Sequence, residues 1–158
     1  MNADPDGWDV ASLLYVSKSR LCPPNDINEI IELVATSRRR HAALGVTGAL
    51  ILTQRHFAQF LEGRASAIDE LMLSIARDVR HEQMRVVDVT TDRRRRLPSW
   101  SLAYWGSATF VDNLIAPLLL APLRPEDLAV ARLHHAILQF ALKSEGGVPI
   151  GHWPSTLH

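Results

Sequence analysis

The chain has 158 residues, 47% of them hydrophobic, which is enough for one domain with a core and little besides. Lys plus Arg balance Asp plus Glu at 17 each, so no net field draws the chain to a polyanion or an acidic membrane surface, and direct nucleic-acid binding is not expected. A single cysteine, Cys22, excludes an intramolecular disulfide and a cysteine-based zinc site, and it is compatible with a reducing cytoplasm.

Met1 to Gly7 is polar and acidic, without the basic-then-apolar pattern of a secretory signal, and residues 1–9 are expected to be loosely ordered. Leu13-Leu14-Tyr15-Val16-Ser17 predicts a first strand, stopped by Pro23-Pro24. Asn25 or Asp26 is placed to cap a helix whose apolar positions Ile27, Ile30, Ile31 and Val34 keep the i, i+3, i+4, i+7 spacing, and which ends near His41. Val46 to Thr53 reads as a second strand, and Gln54-Arg55 join it through a tight hairpin to a third, His56 to Gly63. Gly48 is placed to allow close approach of backbone or ligand. Ser66 is the expected cap of a second helix with Ile68, Leu71, Met72, Ile75 and Val79 on its apolar face. Met84 to Thr90 and Trp100 to Trp105 predict the fourth and fifth strands, and Arg93 to Arg96 between them read as a solvated loop.

Phe110 to Leu120 follow, then a helix over 126–143, opened by Pro125, ended by Gly146-Gly147 and carrying Val130, Leu133, Ile137 and Phe140 on one face. The apolar patch from Leu114 to Leu123 is broken by Pro117 and Pro122 and is too short to span a bilayer, so a soluble, cytoplasmic protein is expected. The order βαββαββ puts two helices on one face of a mixed sheet, an α+β sandwich of ferredoxin-like type. The C-terminal helices are expected to cover the other face or to join copies of the chain as a homodimer or higher homo-oligomer.

Within the third strand, Gln59 interrupts the apolar run His56-Phe57-Ala58-Gln59-Phe60-Leu61. Period-two alternation puts Phe57, Gln59 and Leu61 on one face and Ala58 and Phe60 on the other, so the amide points into a core. Buried without partners it costs about 2–7 kcal/mol, so a side chain or a ligand must supply them.

Five separated motifs bear on that partner. Leu14-Tyr15-Val16-Ser17, then Ser37 before Val46-Thr47-Gly48-Ala49-Leu50, then Phe57-Ala58-Gln59-Phe60-Leu61-Glu62-Gly63, then Asp78-Val79-Arg80-His81, then Trp100-Ser101-Leu102 together resemble the BLUF family, the sensors of blue light using FAD. The resemblance implies an FAD held between the two helices, over the sheet, in a domain of residues 10–107, with residues 108–145 as a helical extension and 148–158 as a loosely ordered tail. It implies Tyr15 and Gln59 as the photochemical pair, the tyrosine donating an electron and a proton to the excited ring and the amide, both donor and acceptor, relaying the proton and resettling. In the family the outcome is a small red shift of an oxidised flavin. Ser37, Arg40, His41, Gln59, Arg80 and His81 are the implied cofactor-binding residues, and Trp100 and Leu102, on one face of the fifth strand, are expected to pass the change to the C-terminal helices. Leu102 stands where the family often has methionine. Output is expected through a separate signalling partner.

One departure stands out. Where the family usually has an asparagine, six residues before the threonine of its Thr-Gly pair, this chain has His41, which motivates a second reading, a flavin-free module that keeps the fold for protein interaction. Taken singly, Tyr15 and Gln59 read as an ordinary strand tyrosine and a backbone-bonded amide, and Arg80-His81 as a favourable helix end. His134 and His135 are adjacent on a helix, point in different directions and make poor joint metal ligands. Glu62 and Asp88 lack a carboxylate partner for acid/base work and no nucleophile motif is present, so an enzyme is not expected. An acylphosphatase-like hydrolase would share the sandwich topology, but the chain offers no anion loop for it.

Overall fold

A computed structural model describes residues 9–21, 25–106, 109–120 and 128–143. In chain order the elements are β1 (Val10–Ser19), α1 (Ile27–Ala43), β2 (Thr47–Thr53), β3 (His56–Gly63), α2 (Ala65–Arg77), β4 (His81–Asp92), β5 (Trp100–Gly106), α3 (Thr109–Leu120) and α4 (Leu128–Lys143). The five strands form one sheet in the order β4-β1-β3-β2-β5, with β2 and β5 parallel and the other pairs antiparallel. This is the expected α+β sandwich of ferredoxin-like type.

Strand periodicity divides the core in two. Leu13, Tyr15, Leu50, Leu52, Phe57 and Leu61 lie on the face packed by Ile30 and Val34 of α1 and by Ile68 and Leu71 of α2. Leu14, Val16, Ala49, Ile51, Ala58 and Phe60 lie on the other face, covered by Val111, Ile115 and Leu118 of α3 and by Leu133, Ile137 and Ala141 of α4. Both faces are apolar because both are covered, so β2 and β3 read as nearly continuous hydrophobic runs. Gly48 has φ +145, and a Cβ there would lie 1.9 Å from the Phe60 carbonyl oxygen, so its role is close approach of β3 backbone rather than of a ligand.

Several local expectations are corrected. Arg64, not Ser66, occupies the N-cap of α2, because the helix opens at Ala65. Val79 is 77% exposed and lies beyond that helix: the chain turns at Asp78, whose Oδ1 accepts the Arg80 backbone N–H. Ile31 is exposed, on the solvent edge of the α1 stripe. Arg80-His81 do not close a helix but lead into β4, which is longer than the predicted strand. The Arg93 to Arg96 loop is not merely solvated. Glu62, buried at the end of β3, accepts the backbone N–H groups of Arg96 and Leu97, and Arg95 donates to Thr47 Oγ1 and to the Glu62 carbonyl. Burial holds the Glu62 carboxyl above its usual range, and those N–H groups offset the rise only in part. The expected termini, Pro125 and Gly146-Gly147 lie outside the described residues. Among the described residues no helix is long and apolar enough to cross a membrane.

Candidate functional site: a cavity between α1 and α2

A cavity of about 640 Å³, its open mouth included, lies between α1 and α2 over the sheet. Its floor is Tyr15, Leu50, Phe57 and Gln59, on three neighbouring strands. Ser37, Arg40 and His41 line it from α1, Ser74 and Ile75 from α2, and Asp78, Arg80 and His81 from the connection into β4. Apolar walls with a few convergent polar groups are the usual composition of a small-molecule site.

Gln59 finds its protein partner on the next strand. Antiparallel register sets Tyr15 directly opposite Gln59, and the phenol donates to Gln59 Oε1 at 2.6 Å. Both residues are buried. Burial, reinforced by the Asp78 charge, pushes the phenol well above its ordinary range, so Tyr15 stays protonated and donating. An Oε1 that accepts from tyrosine commits the other end of the amide, Nε2, to donating.

Around this pair the polar groups are held in fixed roles. His81 Nε2 lies 2.6 Å from the Ile75 carbonyl, which only accepts, so Nε2 carries the proton, and Nδ1 at 2.7 Å then accepts the Ser17 hydroxyl when the ring is neutral. The His81 ring meets Tyr15 and Phe57 edge to face. Arg80 forks onto Asp78 through Nε and Nη2. Burial by itself raises the Asp78 carboxyl, but the Arg80 hydrogen bonds outweigh it and hold the group below its usual range. Arg40 Nη1 donates to Ser74 Oγ, joining α1 to α2 at the cavity. Ser17, Ser74 and Asp78 were not singled out from sequence as parts of such a site; Ser17 and Asp78 had a signal, their places in the Leu-Tyr-Val-Ser and Asp-Val-Arg-His motifs, and Ser74 had none.

His41 is 3% exposed at the end of α1, and its Nδ1 has no hydrogen-bond partner among the described residues. Burial first, and the neighbouring Arg40 charge second, lower its pKa to about 4, so the imidazole is neutral at neutral pH. Its ring packs edge to face on Trp100, whose Nε1 is also buried without a partner.

Of the residues singled out from sequence, the fold brings Tyr15, Ser37, Arg40, His41, Gln59, Arg80 and His81 to one cavity. Trp100 and Leu102 do not line it. They share a face, as alternation requires, but that face belongs to the core under α1 and α2, whereas Ala103 of β5 packs on the side of α3 and α4. The relay expected of Trp100 and Leu102 therefore does not run through direct contact of their side chains with the α3–α4 core. The links to those helices come from other residues: Thr53 Oγ1 donates to Asp112 Oδ1 of α3, His56 Nδ1 lies 2.7 Å from the same oxygen, and His134 Nε2 of α4 lies 2.8 Å from Asp88 Oδ2 of β4.

Comparison with known proteins gives the same fold and more. A family model described as sensors of blue light using FAD matches residues 10–103. The photoactivated adenylate cyclase subunit beta of Euglena longa is 31% identical over 94 residues, which are 59% of this chain and 11% of that protein, so the chain spans about a tenth of this curated relative. The dark-state structure of BlrB, a BLUF protein, superposes with a TM-score of 0.63 at 34% identity, covering 83% of this chain and 96% of that one. BlsA in its photo-activated state superposes with a TM-score of 0.65 at 18% identity, over 82% and 94% of the two chains, a likeness of fold. With a family model matching well over half its length, the chain belongs to the BLUF family, the sensors of blue light using FAD.

Proposed function

We propose that this chain is a blue-light photoreceptor that binds FAD in the cavity between α1 and α2 and signals to a separate partner protein. The observation that carries the reading is the Tyr15–Gln59 hydrogen bond of 2.6 Å on the floor of that cavity. When bound, the flavin supplies absorption of blue light and, once excited, an acceptor for an electron and a proton. The chain supplies the rest. Tyr15 holds a proton at its hydroxyl, aimed at Gln59 Oε1, and its burial keeps that proton in place in the dark. Gln59, with one oxygen and one nitrogen, can exchange donor and acceptor roles, so a rearranged amide serves as the stored signal.

The residues present fit a flavin. His41 lines the cavity as a neutral imidazole, whose N–H is the kind of donor a polar ring edge would satisfy. Ser37 and Arg40 on one wall and Arg80 on the other offer further polar contacts. The flavin-free reading draws on the histidine that replaces the family's asparagine, but that histidine still lines a polar-walled cavity, which an interaction module does not require. For output, the sheet lies between the cavity and the α3–α4 pair, and the Asp112 and His134 contacts tie that pair to strands of the sheet. We take α3 and α4 as the surface that a partner reads.

One measurement tests the reading. Purified protein is expected to be yellow, and blue light is expected to shift its flavin absorption slightly to the red, with recovery in the dark. A colourless protein that takes up no added FAD overturns it.

A further inference from the structure

Beside the cavity stand two buried nitrogens without hydrogen-bond partners among the described residues, His41 Nδ1 and Trp100 Nε1. They belong to neighbouring rings, with centroids 4.9 Å apart and planes at 81°. His41 lines the cavity, and Trp100, which does not, is in edge-to-face contact with the His41 ring. Buried polar atoms in folded proteins are paired with few exceptions, and this pair of exceptions is chemically complementary. An indole N–H only donates, whereas a neutral imidazole has one N–H and one lone pair. His41 is in that neutral form, because burial and Arg40 disfavour its charge.

We propose that His41 is a positioning residue that couples occupancy of the cavity to β5: with a flavin bound, its Nε2–H serves the flavin and its Nδ1 accepts the Trp100 indole N–H. The inference rests on the flavin reading above. One imidazole turn then satisfies both nitrogens, neither of which has a partner among the described residues. Trp100 opens β5 opposite Gly48, and two residues on Leu102 pairs with Leu50, which lines the cavity. The cavity thus reaches β5 by two routes, a hydrogen bond through His41 and packing through Leu50. An asparagine at position 41 has a shorter reach and keeps only the second, so the coupling belongs to the histidine.

The test is a titration of ¹⁵N-labelled full chain with FAD in the dark, following the indole N–H resonance of Trp100, one of four tryptophans, identified by its loss in Trp100→Phe. A downfield shift of that resonance at saturation, absent in His41→Asn, supports the coupling. Affinities from flavin absorbance complete a double-mutant cycle. Trp100→Phe is expected to weaken FAD binding roughly three- to tenfold when residue 41 is histidine and to leave it unchanged when residue 41 is asparagine. Flavin uptake with an unmoved indole, an equal shift in His41→Asn, or an additive cycle overturns the coupling while the flavin reading stands. A wild-type chain that takes up no flavin overturns both.

Discussion

Tyr15 and Gln59 meet because β1 and β3 run antiparallel in a register that sets the two residues opposite one another, close enough for a phenol to reach an amide. Tyr15→Phe and Gln59→Leu are expected to retain flavin and to lose the light-induced red shift; a normal shift in both variants, read by absorption, would remove the roles assigned to them. His41 gives the residue scale its pH dependence. Its pKa is about 4 in the folded chain against an ordinary 6.5, so between these values the unfolded chain binds more protons and folding loses stability as pH falls. The His41 contribution is fully present above pH 6.5 and is lost on the way to about 4, a difference of about 3 kcal/mol. His41→Asn is expected to flatten that part of the curve, so between pH 7 and pH 4.5 the wild-type urea midpoint should fall by more than the variant's. The side on which Gln59 lies was legible from period two alone. The Ser17 partner of His81 was not, because 64 residues separate them and nothing local marks the pair.

Elements here are held by a few polar anchors at their ends as much as by the apolar stripe. Glu62, the penultimate residue of β3, gathers backbone donors from a loop 34 and 35 residues away and so fixes where β5 starts. Glu62→Ala leaves those N–H groups without their carboxylate and is expected to cost about 2–3 kcal/mol, a fall in Tm of roughly 4–12 °C for a chain of this size. Gly48→Ala is expected to be worse, since its Cβ would collide with main chain rather than a yielding side chain. A loss of at least about 3 kcal/mol, or no folded protein at all, is the expected result by circular dichroism. Helix and strand positions were readable from spacing, and their ends were less so. Val79 continues the apolar pattern of α2, yet the Asp78–Arg80 ion pair turns the chain before it.

At the scale of the whole molecule, one sheet separates a polar-walled cavity from a helical pair, each backed by its own core layer. Ending the chain after Gly106 is expected to uncover Leu14, Val16, Ile51 and Phe60 together, an apolar face far larger than soluble monomers tolerate. The truncated protein should bind a hydrophobic dye and aggregate; a stable, dye-silent monomer would show that α3 and α4 are dispensable to the fold. By itself the sequence determined the order of elements, the sandwich class, the family and some of the residues that gather at the cavity, among them Tyr15, His41 and Gln59, because periodicity and closely spaced motifs are local properties of a chain. Only the tertiary structure decided that Trp100 and Leu102 lie on the cavity side of the sheet, that Glu62 anchors an arginine loop, and that the His41 and Trp100 rings are neighbours, each with a buried nitrogen that has no hydrogen-bond partner among the described residues. Those facts depend on which surfaces the sheet order brings together, and contacts between distant residues leave no periodic trace in sequence.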